Sequence, residues 1–310
     1  LMARYLGLGK EASFGSAAAL SKYIAIVSED IQLQKERIIQ EDVSSRQRSK
    51  WRPGTERVGG GWRWNIHYEN IGEILLGLLG QVATSQPDSV NAPNTYQHIF
   101  SPSDSIPTWT VEVGLDEVTA KQAVGVAIEG VSLRLSPNEL FQGEVDIIGK
   151  TLSLKALSTP SFPTLDPIAF YDVSSIQVGG VAANLIEAEI NIANNIVDDA
   201  FVLGSRQLDR IELGYIEVAG SFSLAFDSTS EMDKFLSDTE SSLQILMQGA
   251  VIEATYNYKL QIDIPRIVYS EAQASIDRRE RIIQNINFVA LKPTADDIIK
   301  FTLVNTESGY

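Results

Sequence analysis

With 310 residues, 44% of them hydrophobic, the chain is long enough to bury a core as one large domain or two of ordinary size. A formal net charge of −15 excludes a protein that grips nucleic acid through clustered Lys and Arg, while leaving open one that lets nucleic acid slide past. The absence of cysteine, with only His67 and His98 as imidazoles, excludes a disulfide framework, a thiolate nucleophile and a histidine-based zinc centre, so no metal or cofactor is expected.

Residues 1–20 are rich in Gly, Ala and Ser and read as a flexible arm that orders only on assembly. They lack the continuous apolar stretch of a signal peptide, and Leu1 before Met2 suggests a start at Met2 and an intracellular origin. No run approaches the roughly 20 apolar residues of a membrane span.

"YIAIVSEDIQLQKERI" follows with a two-residue alternation: Ile31 and Leu33 on one face, Asp30, Gln32 and Gln34 on the other, as a half-buried strand requires. The segment Gln40–Glu56, basic in its middle and holding Pro53–Gly54, reads as a long loop. In "VGGGWRWNIHYENIGEILLGLLG", Trp62, Trp64 and Ile66 share one strand face, opposed by Arg63, Asn65 and His67. Ile71, Ile74, Leu75, Leu78 and Leu79 then fall at helical spacing, with Asn70 as cap and Gly80 as stop. "QVATSQPDSVNAPN" reads as a surface loop, and strands resume at "TWTVEVG", "AVGVAIEGVSLRLS" and "LFQGEVDIIGKTLSL".

"ALSTPSFPTLDP", residues 156–167, carries three prolines and no periodicity, and marks a linker between a first domain, 21–155, and a second, 168–310. The second opens with a hairpin turning on Gly179–Gly180, whose returning strand alternates Ile186, Ala188, Ile190 and Ile192 against Glu187, Glu189 and Asn191. A loop, Asn194–Leu213, leads to "YIEVAGSFSLAF", a short helix capped at Ser228 or Ser230, and three strands.

The two domains share an order: strand, long loop, strand with small then aromatic residues, helix, three strands. Val58, Gly60, Trp62, Trp64 and Ile66 correspond to Val218, Gly220, Phe222, Leu224 and Phe226. Farther on, Leu135–Pro137 aligns with Leu291–Pro293, and "GEVDII" with "IKFTLV". The expected fold is mainly β with a few short helices, as two tandem β-sandwich or barrel domains. Sheets of this kind leave edge strands, and pairing with neighbouring copies would close a barrel across subunits.

Four segments resemble bacteriophage tail tube proteins of long-tailed phages: "MARYLGLGKEASFG", "ENIGEILLGLLGQVATSQPDSVNAPNTYQHIFSP", "VSLRLSPNELFQGEVDIIGK" and "ANNIVDDAFVLGSRQLDRIELGYIEVAGSFSLAF". Together they span nearly the whole chain. The resemblance implies a structural virion protein whose rings stack into a hollow tube that conducts viral DNA during ejection. For a doubled subunit it implies trimeric, pseudo-hexameric rings, with hexamers as the alternative. It implies tape measure, tail tip and terminator proteins as partners, no membrane, assembly in the bacterial host cytoplasm and a place in the virion tail. The alternatives are the tube of a contractile injection or secretion device and a β-sandwich carbohydrate-binding module.

On that reading the polar strand faces are candidates for the lumen: Asp30, Gln32, Gln34, Glu112, Glu144, Asp146, Glu187, Glu189, Gln261 and Asp263. Arg46, Arg48, Lys50, Arg52, Asp198, Asp199, Arg206 and Asp209 are candidates for loop contacts between rings or subunits, where opposite charge sets register. Carboxylate pairs such as Glu144 and Asp146 could also serve acid–base work. Such spacing is ordinary on a half-exposed strand, however, and no Ser/His/Asp or phosphate-loop pattern accompanies it, so the chain is not expected to be an enzyme.

Overall fold

Alternating apolar residues dominate the chain, and the computed structural model turns them into strands. It describes residues 4–41, 43–44, 46–274 and 281–310. The first half contains β1 (Leu6–Lys10), β2 (Lys22–Ile24), β3 (Ile26–Glu29), β4 (Gln32–Ile39) and β5 (Trp51–Asn65) before α1 (Ile71–Leu79). After the helix come β6 (Gly80–Ser85), β7 (Tyr96–Pro102), β8 (Trp109–Leu115), β9 (Thr119–Leu135), β10 (Gln142–Gly149) and β11 (Thr151–Lys155). The second half holds β12 (Val173–Val178), β13 (Val181–Ala182), β14 (Leu185–Ala193), β15 (Glu217–Ala225) and α2 (Ser230–Leu236). It ends with β16 (Ser241–Glu253), β17 (Tyr256–Ala274), β18 (Ile283–Ala290) and β19 (Lys300–Asn305). The fold is mainly β, as expected, and every strand pairing is antiparallel apart from one isolated bridge, Glu56 to Gln207.

Eight strands make the principal sheet, in the order β4–β5–β10–β9–β14–β15–β18–β17. Its inner face is apolar: Val58, Trp62, Val145, Val131, Leu133, Ile190, Ile192, Phe222 and Ile286 are all buried in one cluster. Both long strands change partners midway. β9 pairs with β8 and β11 at its start and with β10 and β14 at its end, and the changeover falls at Gly125, whose φ of 68° suits glycine. β17 pairs with β16 and β19 at its start and with β18 at its end. Its changeover spans Pro265, which has no N–H to give to a ladder. The early parts of both strands belong to a second layer over the core, which includes β1, β2, β8 and β11 in the first half and β12, β13, β16 and β19 in the second. β6 and β7 extend that second layer by adding β7 to β19, so the hairpin of one half completes a sheet of the other.

The pairings repeat. β5–β10–β9 matches β15–β18–β17, and β8–β9–β11 matches β16–β17–β19. Even the bulges recur: the ladder skips Glu129 between β9 and β10, and Ser270 between β17 and β18. A bulge re-aims a strand by inserting one residue, so its recurrence at one register step is a shared design feature.

Several expectations change. The arm is no free tether, because β1 pairs with both β2 and β8 and buries Leu6 and Leu8. Beyond it the Glu11 carboxylate accepts bonds from Gly15 N, Gly125 N, Thr108 Oγ1 and Thr110 Oγ1, at 2.8–3.0 Å. Residues 1–3 of the expected arm, and 42 and 45 of the expected loop, lie outside the described residues. The loop Gln40–Glu56 is shorter than its composition implies, since β5 already begins at Trp51. "QVATSQPDSVNAPN" lies partly in β6. β14 does not return along β12: the Gly179–Gly180 turn leads only into the two-residue β13. The counterpart of "GEVDII" in β10 is β18, and β19 answers to β11, which corrects the alignment of Leu135–Pro137 with Leu291–Pro293. The proline-rich stretch 156–167 is strapped down: Ser158 N donates to Tyr5 Oη, and Thr164 N and Leu165 N donate to Glu69.

α1 begins after Asn70 and stops at Gly80, which takes φ 87° to end the helix. All of its residues are buried. α2 is short, is preceded by Thr229 rather than by either expected serine, and packs on β17.

Candidate functional site: a polar sheet face and two open edges

Because side chains alternate along a strand, burying one face of the principal sheet presents the other as a unit. β4 contributes Gln32 and Gln34, β5 Arg57 and Arg63, β10 Glu144 and Asp146, and β9 Ser132 and Arg134. Across the join, β14 adds Glu187, Glu189 and Asn191, β15 Ser221 and Ser223, β18 Asn285 and Asn287, and β17 Glu271 and Gln273. Asp30, at the step between β3 and β4, accepts from Gly61 N at 2.6 Å and sits beside this face. The inventory is hydroxyls, amides and carboxylates, with more carboxylates than cations.

Arg63 holds Glu144 through two bonds, 2.9 and 3.1 Å, and this paired carboxylate raises the guanidinium pKa further. Burial, then repulsion from Glu144 and Asp30, pushes the Asp146 carboxyl above its ordinary value. Burial, with Asp146 nearby, does the same to Glu129 at the bulge. Crowded acids facing one another concentrate negative potential on the face, which repels phosphate.

Seven expected residues therefore gather on or beside one surface: Asp30, Gln32, Gln34, Glu144, Asp146, Glu187 and Glu189. Glu112, Gln261 and Asp263 do not. They belong to the second layer, where Glu112 is 3% exposed and accepts from Tyr5 Oη at 2.7 Å and Gln122 Nε2 at 3.3 Å. Gln261 and Gln244 bond Asp263 in the same way. Their alternation was real, but it described the outer side of the other sheet. Arg57, Arg134, Glu271 and Asn287 had the same period-two signal, yet only the pairing of distant strands puts them beside the acids.

The charged loops meet within one chain. Arg206 donates to Gly54 O at 2.7 Å and to Glu56 at 3.1 Å, and Arg57 pairs with Asp198. Arg48 pairs with Glu41, and Asp209 with Arg210. Asp199 lies in the loop, its carbonyl accepting from Phe201 N, while Arg46 and Lys50 are exposed near the turn and Arg52 lies in β5. His67 and His98 are engaged structurally: His67 Nδ1 meets Leu165 O, and His98 bridges Thr84 and Asn305. Burial lowers both imidazole pKa values.

The sheet has two open edges. Among the described residues, β4 has β5 on one side and no strand on the other, and Val268–Ala274 of β17 has β18 on one side and no strand on the other. At the centre of the sheet the same two kinds of edge meet: β9 receives β14, with Asn191 opposite Ser132 and Ile192 opposite Val131. No described helix is long and apolar enough to cross a membrane.

No curated protein matches the chain significantly. A family profile described as phage tail tube protein matches residues 3–290. That span takes in both halves, both open edges and the polar face between them; the chain belongs to the phage tail tube protein family, as a structural component of the virion tail.

Proposed function

We propose that three copies close a ring by repeating between chains the strand pairing that β9 and β14 make within one, and that stacked rings form the tube through which viral DNA leaves. The single observation that carries this reading is the equivalence of the edges. β14 lies on β15 as β4 lies on β5: Asn191 stands opposite Ala219, and Gln32 opposite Gly59. β17 lies on β18 as β9 lies on β10. Placing the next copy's β4 on the open edge of β17 in the β9–β14 register sets Gln32 opposite Gln273 and Gln34 opposite Glu271.

Open edges are hazards unless covered, and a closed ring removes both at once. Two repeated sheet units per chain, residues 21–155 and 168–310, make a trimer pseudo-sixfold. The polar face turns inward. With few cations to displace the counterions held by DNA phosphates, the wall holds DNA weakly and lets it move. Host-cytoplasm assembly and capture of tape measure, tip and terminator proteins belong to the same reading.

Because the chain has no native cysteine, Gln32→Cys in one preparation and Gln273→Cys in another give mixtures in which only chain-to-chain links form. The expected result is crosslinked subunits within ring-shaped particles by negative-stain microscopy, with the solution mass of a trimer. Rings lacking the crosslink, or a hexameric mass, would reject the arrangement.

A further inference from the structure

Beyond the bulge at Glu129, the first half has a small apolar site whose cover comes in part from the second half. Ala127 and Ile148 stand opposite each other there, and both are buried. Phe14 and Ile106 of the first half pack at the site's margin, and the loop after β14, from the second half, closes it: Ile196 and Leu208 complete the cluster, with Phe201 and Leu213 around it. The loop is pinned by Arg57 Nη1 to Asp198 O at 2.8 Å and by Glu56 N to Arg206 O at 2.7 Å. One half thus lends its strand-to-strand connection to cap the neighbouring half.

The second half carries the same site without a cap. One step past its own bulge, Val268 stands opposite Val289, as Ala127 stands opposite Ile148. Val289 is 45% exposed, and Leu291 and Tyr215 are exposed beside it. All three line a cleft of about 730 Å³ whose charged lining residues are Asp104, Glu217, Asp297 and Lys292.

The connection that corresponds to the capping loop is the β4–β5 hairpin. It extends from the sheet with Ile38, Ile39 and Trp51 exposed, and its basic residues include Arg37, Arg48, Lys50 and Arg52. Arg37 lies over the Trp51 ring, 5.3 Å from its centroid. A hairpin with Ile39 and Trp51 exposed below its turn and more basic than acidic residues suits a cleft with Val289 and Leu291 exposed and three carboxylates to one lysine. Clustered exposed aliphatic and aromatic residues of this kind mark an interaction surface.

We infer that the β4–β5 hairpin of one copy caps the Val268–Val289 site of the neighbouring copy in the same ring, as the Ile196–Leu213 loop caps Ala127 and Ile148 within the chain. The inference rests on the ring reading above and adds a second, side-chain contact to the backbone pairing. Edge pairing alone is sequence-tolerant. The capped site supplies the recognition that makes a copy of this chain the partner.

The test mixes Ile39→Cys chains with Val289→Cys chains, adds a short bis-maleimide, and runs the Gln32→Cys with Gln273→Cys mixture in parallel. Both crosslinks are expected in isolated rings. Loss of the Gln32–Gln273 link sinks the ring reading and this inference with it. Retention of that link without the Ile39–Val289 link overturns this inference alone, as does a hairpin link that forms only once rings have stacked. In a second measurement, the Ile38→Ser, Ile39→Ser, Trp51→Ser variant should need at least about tenfold more protein to assemble, with the thermal unfolding of the unassembled chain unchanged. Val118→Ser, at an equally exposed turn between β8 and β9, should assemble normally. Unaltered assembly of the triple variant would overturn the proposal.

Discussion

Asn194, at the end of β14, donates from Nδ2 to Leu78 O at 2.9 Å and to Ile128 O at 3.0 Å. One buried amide of the second half thereby ties down the helix end and the bulged strand of the first. Asn194→Ala takes a buried donor away from both carbonyls. It should destabilise the chain by about 2–3 kcal/mol, read from the midpoint of urea unfolding, with one cooperative transition retained. A loss below about 0.5 kcal/mol would show that this amide does not hold the halves together.

Glu11 should act as an anchor for β1. Its two oxygens accept four bonds, two from backbone N–H groups and two from threonine hydroxyls, and a glutamine amide would turn one acceptor into a donor facing donors. Glu11→Gln is expected to lower stability by about 2 kcal/mol. It should also speed hydrogen exchange at Leu6–Lys10 more than at β9 or β10. Uniform change across the sheet would contradict a local anchor.

Glu73 gives the chain a pH dependence. Burial pushes its carboxyl from the ordinary 4.5 up to about 7, against a smaller opposing effect of Lys22, and its Oε2 is buried without a partner. The folded state therefore keeps a proton that the unfolded chain releases. This penalty is absent below pH 4.5, grows as pH rises from 4.5 to about 7, and is constant above. Its full size is on the order of 3 kcal/mol. Glu73→Gln should remove that slope and raise the melting temperature at pH 8 while changing little at pH 4. Equal effects at both pH values would show that Glu73 is ionised in the fold.

The acidity of the polar face can be read from its salt response. Tubes carrying Asp146→Lys, Glu189→Lys and Glu271→Lys should retain double-stranded DNA that the unmodified tube does not, with retention falling steeply as salt is raised. In phage, the same substitutions should slow ejection without reducing the number of assembled tails. Fast ejection with a lysine-rich wall would separate wall charge from transport.

Period-two alternation made β14 and β18 legible along the chain, because a strand's side chains must face alternately and only one face of these is buried. It could not tell one sheet from another. Glu112 alternates as cleanly as Glu144, yet one is buried and bonded to Tyr5 and Gln122 while the other lies on the open face. The alignment of the two halves was correct through Trp62 and Phe222, where aromatic residues mark the register. It slipped later, where short similar strings outweighed order. Only the ladders show that β10 answers to β18.

The amino-acid sequence by itself determined the β character, the helix between Asn70 and Gly80, the acidic balance and the lack of cysteine, since these follow from local spacing and composition. Tertiary structure decided which polar faces merge, that β14 leaves its own hairpin to join β9, and which two edges stay open among the described residues. Backbone N–H and C=O groups are alike at every residue, so a strand's partner is chosen by what its buried face packs against far along the chain.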